Sequence, residues 1–435
     1  MPSQSLRSLL MTWPLLLGMG VLMLGAGLQG TLIALRATLE GFAPDVTGVV
    51  MSCYYVGYIA GSVGAPTLLQ RIGHVRTFAA LTALASIAIL LQAAWITPLS
   101  WSALRLVSGI SFAGIYIAAE SWLNDRATND SRGMLLGAYM LTLYGGLGAG
   151  QYLLVAADPR GPTLFLFTAV LISLAVVPMS LSARRAPEFH VPRKIRFREI
   201  YHLSPMGLVG VVVAGVVTSS LFAMGPVYAS LIGLDHSEIA TFMGVSIIAA
   251  MLTQLPIGRW SDRTDRRNVL IVVCLLAAIV AIAAGTIGTL SKGVLFVLAA
   301  AFGGIALSLY SLAASHINDH LDPDQIVAAS SSIVLLNGLG SVAGPVVVST
   351  MMRQHGPPAY FFSLAGMLAS LVLYAAWRKW RRSAVPAALK VPFVSAQPEV
   401  TSGEMMAQVA HDAALAHAHT EREHAEQAVN DERSR

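Results

Sequence analysis

Between residues 9 and 377 the chain is a succession of apolar runs, most of them about 20 residues or longer, separated by short polar segments. About 20 mostly apolar residues is the length that crosses a bilayer as a helix. Within hydrocarbon each backbone N–H and C=O must be satisfied inside the segment, so runs of this kind can span only as helices. The reading gives twelve spans, at 9–35, 47–70, 77–96, 99–123, 133–156, 163–183, 205–231, 238–257, 269–290, 293–316, 327–352 and 358–377. Composition agrees. The chain is 55% hydrophobic and only 12% charged, against about 25% charged in soluble proteins. The first run is longer than a signal-peptide core of about 7–15 residues and no small-x-small site closes it, so it reads as a span.

The shortest charged connection, between spans 8 and 9, orients the rest. Residues 258–267 read G-R-W-S-D-R-T-D-R-R. A loop with four arginines belongs in water, and basic loops stay in the cytoplasm. With an even number of spans, both termini are then cytoplasmic. Of the 28 Lys and Arg, only Arg36, Arg160, Lys292 and Arg353 fall on the opposite side, and Arg105 lies within a span. The net charge of +5 therefore reflects membrane topology, with the lipid bilayer as the partner and no nucleic acid. Cys53 and Cys274 sit in separate apolar runs and suggest neither a disulfide nor a metal.

The same loop resembles the signature G-x-x-x-D-R-x-G-R-R of the major facilitator superfamily, with Asp265 in place of the inner Gly. The resemblance implies an all-α membrane protein with twelve transmembrane helices in two pseudo-symmetric six-helix halves. It also implies that Gly258, Asp262, Arg263, Arg266 and Arg267 act as a conformational latch favouring the outward-open state. The first half carries an eroded copy, in which Arg71, Gly73 and Arg76 match while Pro66, Gln70 and His74 depart. Three echoes support the repeat: Gln70 and Asp262 are 192 residues apart, Asn124 and Asn318 194, and Gly146 and Gly338 192. The expected divisions are residues 1–183 for the first half, 184–204 for a basic cytoplasmic linker, 205–377 for the second half, and 378–435 for a disordered cytoplasmic tail. The tail histidines His411, His417, His419 and His424 have no pair at i,i+4, so no metal site is expected. The segments L-R-A-T-L-E-G-F, R-I-G-H-V-R and A-E-S-W-L-N-D also resemble the bacterial YcaD-like branch, which carries no assigned substrate.

Span 4 carries the candidate chemistry. Arg105, Gly109, Phe112, Tyr116 and Glu120 recur at helical spacing and form one stripe. A charged side chain deep in a span costs about 2.5–3.5 kcal/mol on insertion scales. Arg105 therefore either lines a water-filled cavity or snorkels to the outer headgroups. Glu120 is the acidic residue inside a span, and reads either as a proton-carrying coupling group or as a cap that pairs with a loop arginine. The resemblance places spans 1, 4, 7 and 10 around the cavity, which adds Gln29 and Tyr228 to the substrate-binding candidates. In span 5 the drug-exporter motif G-x-x-x-G-P lacks its proline, since Gln151 stands there. No catalytic signature, nucleotide loop or dinucleotide fingerprint is present, so neither an enzyme nor a cofactor is expected and uphill transport would draw on a proton gradient. The expectation is a monomeric secondary transporter of the bacterial inner membrane, moving a small polar or anionic solute by alternating access. A proton-driven drug or metabolite exporter of the same fold, and a non-transport membrane protein such as a sensor or scramblase, are the alternatives.

Overall fold

The computed structural model describes residues 4–181, 196–381, 393–395 and 407–415. These residues are helical or in short connections, and no strand occurs among them. The first half comprises α1 (Gln4–Leu39), α2 (Pro44–Ile72), α3 (His74–Ala94), α4 (Pro98–Arg126), α5 (Asn129–Tyr152), α6 (Thr163–Leu174) and α7 (Val176–Leu181). A short helix, α8 (Phe197–Leu203), leads into the second half. That half comprises α9 (Pro205–Leu231), α10 (His236–Arg263), α11 (Arg266–Ile287), α12 (Lys292–Ala306), α13 (Leu309–Asn318), α14 (Pro323–His355) and α15 (Ala359–Arg381).

Helix ends follow local chemistry. Thr97 caps α4 by accepting the Ser100 N–H at 3.2 Å. Asp235 and Glu238 form a reciprocal capping box at the start of α10. The Glu238 N–H, with the Ser237 hydroxyl, holds the Asp235 carboxyl below the usual carboxylate range. Gly41 after α1 and Gly233 after α9 take φ of +79° and +83°. A left-handed position of this kind favours glycine, and the two lie 192 residues apart, the offset of the sequence repeat.

Packing repeats as well. In the first half α1 lies on α5, α2 on α4 and α3 on α6; in the second, α9 lies on α14, α10 on α12 and α11 on α15. The halves meet where α2 crosses α14, α5 crosses α10 and α1 crosses α9. Outward-facing Leu84, Ile87, Val170, Leu252, Ile279 and Leu373 cover the sides of the bundle with aliphatic surface, as hydrocarbon contact requires.

Eleven segments among the described residues are long and apolar enough to cross a membrane. Asn129–Tyr152 is not among them, because its second half reads Y-G-G-L-G-A-G-Q and dilutes its hydropathy. Spans 6 and 10 are each broken in two, at Ala175 and at Leu307–Ser308. No proline stands at either break; at the second, Ser308 Oγ donates to the Ile305 carbonyl at 2.7 Å.

Most of the linker, residues 182–195, lies outside the described residues. Its end forms α8, with Ile200 buried and Phe197 and Tyr201 exposed. Residues 382–392, 396–406 and 416–435 of the tail, including His417, His419 and His424, also lie outside them. The tail segments that are described differ from the expected solvated chain. The Phe393 N–H donates to Asp262 at 2.8 Å. Residues 407–415 are helical, with Ala407 and Ala410 buried and Asp412 paired to Arg132. Among the described residues no cluster of His, Cys, Asp or Glu could hold a metal.

Candidate functional site

A cavity opens at the seam between the halves, walled by α1, α2, α4, α5 and α9. Its polar centre is built by helix packing. On α4, any side chain at Gly109 would run into the Tyr54 carbonyl of α2, so glycine there lets the two backbones touch. One turn earlier on α4, this approach sets the Arg105 guanidinium 4.4 Å from the centre of the Tyr54 ring. Arg105 is only 5% exposed, no carboxylate lies within ion-pair distance of it among the described residues, and its Nε has no hydrogen-bond partner. A cation–π contact is the main compensation for that buried charge. Arg105 thus faces the cavity and does not snorkel outward.

Gln29 of α1 reaches the same cavity, 2% exposed and with its Nε2 unpartnered. Tyr116 joins from the α4 stripe, its hydroxyl 3.7 Å from Met23 Sδ. Three of the five expected binding residues, Gln29, Arg105 and Tyr116, therefore meet in one place. Tyr54 and Tyr55 of α2 line it as well, and nothing in their sequence spacing singles them out. Phe222 of α9, which lines the opposite wall, carried no polar signal at all.

Glu120 and Tyr228 are elsewhere. Glu120 is buried on the same stripe, but about 22 Å along the helix from Arg105 at 1.5 Å per residue. It lies within electrostatic reach of Tyr116 and Tyr139 and outside the cavity lining. Tyr228 stacks on Tyr360 at 5.0 Å and meets Phe361 edge-on at 5.1 Å. It belongs to an aromatic core between α9 and α15. Six positions past Phe222, it lies about 120° away around α9. Span 10 also contributes no lining residue.

The residues of the 258–267 loop form a network inside the second half. Arg266 donates to Asp262 at 2.8 Å, to Asp319 at 2.9 Å and to Ser261 at 3.0 Å. Arg267 pairs with Asp265 at 2.8 Å, and Asp265 caps α11. Arg263, Arg71 and Arg76 are exposed. Gly258 packs beneath the Phe393 ring of the tail. The ion pairs of Arg266 with Asp262 and Asp319, and of Arg267 with Asp265, lie within the second half. Contacts that cross between halves include the Asp45–Arg353 ion pair, the bond from Ser52 Oγ to the Val342 carbonyl at 2.9 Å and Tyr152 against Gly244 toward the other end of the bundle, with Ile59 against Gly338 and the bond from Gln254 Nε2 to the Tyr144 hydroxyl farther in.

Gln151 explains its own presence. Its Nε2 donates to the Gly27 carbonyl at 3.0 Å and its Oε1 accepts from Thr31, stitching α5 to α1. Proline could make neither bond.

Two similarly packed helical halves, with a buried, unpaired cation in a cavity at their seam, define a multi-pass membrane protein of transporter architecture. The sequence matches the model of the Major Facilitator Superfamily over residues 15–345, and again over 252–401, and the chain belongs to that superfamily. It is 27% identical over 355 residues to the Uncharacterized MFS-type transporter YcaD of Escherichia fergusonii, a match spanning 81% of this chain and 92% of the relative. Among solved structures, the nucleoside transporter NupG superposes with a TM-score of 0.69 at 13% identity, covering 86% of this chain and all of that one. A bacterial homolog of the human lysosomal transporter Spinster, in an inward-facing and unoccupied conformation, gives 0.66 at 15% identity over 93% and 98% of the two chains. At these identities the structural likeness concerns the fold.

Proposed function

We propose that the protein is a secondary transporter of the bacterial inner membrane that moves a small polar or anionic solute by alternating access, with a proton gradient as its energy source. The observation that carries this reading is Arg105, a buried cation without a carboxylate partner in a cavity between the two halves. Keeping such a charge unpaired is costly, and a solute that supplies the counter-charge offsets the cost. The arginine-rich end, with both termini, is placed in the cytoplasm by the positive-inside rule, and α5 counts as the twelfth span. The halves are then in contact toward the outer side, which is an inward-facing arrangement. In that state an outward-favouring latch is released, and the Arg266 pairs with Asp262 and Asp319 hold the second half together on their own.

Glu120 is the proposed proton carrier, acting at a distance from Arg105. Exchange and accumulation separate its role. In proteoliposomes, Glu120→Gln should retain solute exchange and lose accumulation driven by a pH gradient. Equal accumulation by the variant and the parent would remove Glu120 from coupling, and no solute movement by either would remove the transport reading. The exporter alternative is less favoured, because Gln151 uses the position of the exporter proline to bind α1.

A further inference from the structure

The lining of the cavity goes further than "polar or anionic". We propose that its solute is a flat, monovalent aromatic carboxylate; this rests on the transport reading above and names the substrate class of the same site.

Four features argue for it together. The first is charge. Arg105 is the single ionised group lining the cavity, and among the described residues no acid and no second base joins it there. A monoanion is neutralised one to one. A dianion would bury a second carboxylate with no counter-charge, and a cation would meet like charge in a low-dielectric site.

The second is hydrogen-bond polarity. The buried atoms of the lining left without a partner, Arg105 Nε and Gln29 Nε2, are both donors, and the guanidinium calls for an acceptor-rich solute. The guanidinium carbon lies 4.4 Å from the centre of the Tyr54 ring, and the planar donors of a guanidinium fit the two oxygens of a carboxylate.

The third is shape. Tyr54 meets Tyr55 edge-on at 5.3 Å and Phe112 at 6.2 Å, and Phe112 meets Tyr116 at 5.9 Å. Phe222 faces them from the second half. A slot walled by rings favours a planar π-system, which stacks or packs edge-on with each wall. The fourth is what the lining lacks. Beside Arg105 and the hydroxyls of Tyr54, Tyr55 and Tyr116, Gln29 is its one polar side chain, fewer partners than the many polar groups of a sugar or nucleoside call for.

Binding to the purified full chain tests the class directly, with 4-hydroxybenzoate as the probe. The comparison set is 4-hydroxybenzamide (neutral), isophthalate (dianion), cyclohexanecarboxylate (not planar) and uridine (a nucleoside). The expected result is that 4-hydroxybenzoate binds at least about ten-fold more tightly than each of these, a gap of one charge-assisted contact. Arg105→Gln should bring the acid and the amide to within about two-fold of each other while the variant remains monodisperse. Tyr54→Leu should narrow the preference for 4-hydroxybenzoate over cyclohexanecarboxylate. Tighter binding of uridine or isophthalate, no binding of 4-hydroxybenzoate, or an unchanged acid-over-amide preference in Arg105→Gln would overturn the assignment. Counterflow in proteoliposomes keeps the two readings apart. If 4-hydroxybenzoate binds but is not exchanged, the transport reading fails and the ligand class stands. If uridine is exchanged, the class fails and transport stands.

Discussion

Arg266 and Asp319 form a buried ion pair at 2.9 Å, with side chains only 1% and 2% exposed. The pair ties the start of α11 to the end of α13, and Asp262 adds a second, more exposed carboxylate at 37%. Arg266 belongs to the loop signature, and its main buried partner lies far along the chain, next to Asn318 of the sequence repeat.

Removing one member of a buried pair leaves the other charge uncompensated, at about 3–5 kcal/mol. Asp319→Ala should therefore lower the thermal midpoint of the purified protein well below that of Asp262→Ala. Equal loss from the two variants would mean that Arg266 leans on Asp262 instead. The double replacement Arg266→Met with Asp319→Leu should recover part of the loss, since it removes both charges.

Asp262 is the place to separate cycling from binding. It lies far from the cavity lining and holds Arg266 and the Phe393 N–H of the tail. Asp262→Asn should change exchange rates in proteoliposomes and leave solute affinity within about two-fold, since no contact with the solute is removed. A large loss of affinity would place the loop in the binding machinery.

Gln151 offers a packing test. Gln151→Leu removes the bonds to Gly27 and Thr31, and interhelical bonds of this kind contribute about 1–2 kcal/mol. Urea or thermal unfolding should register a loss of that size. Gln151→Pro should behave no better than Gln151→Leu, and a gain of drug export on its introduction would revive the exporter reading.

Gly109 is tested by adding bulk. Gly109→Val has nowhere to put its side chain except against the Tyr54 carbonyl, so α4 must move off α2. Overpacking costs about 1–3 kcal/mol. Because the same approach sets Arg105 over Tyr54, solute binding should fall with stability. Intact binding in Gly109→Val would show that the Arg105 position does not depend on that contact.

Much of this was legible in the chain itself. Span length and the asymmetry of Lys and Arg gave the helical membrane class, and the charged loop gave the superfamily. Arg105 and Tyr116 followed from spacing on one helix, where position along the sequence is position on a face. Tyr228 did not, because its face of α9 depends on which neighbour the helix turns toward, and a tyrosine hydroxyl looks the same in a core as in a cavity. Glu120 shares a stripe with Arg105 but not a depth, and spacing alone does not reveal where a cavity ends. Asp319 was within reach: the repeat pairs it with Asp125 at the same offset of 194 residues that pairs Asn318 with Asn124. Phe222 had no signal, since an apolar side chain in an apolar helix is silent.

The central claim is that this cavity is reached from each side of the membrane in turn. Gly30 lines it, and a side chain added there meets nothing within 4 Å. A Gly30→Cys variant in which Cys53 and Cys274 are replaced by Ser offers one thiol in that space. Labelling with a membrane-impermeant methanethiosulfonate in right-side-out and inside-out vesicles reads access directly. The account predicts modification from both sides. Modification from one side only, or from neither, would contradict it.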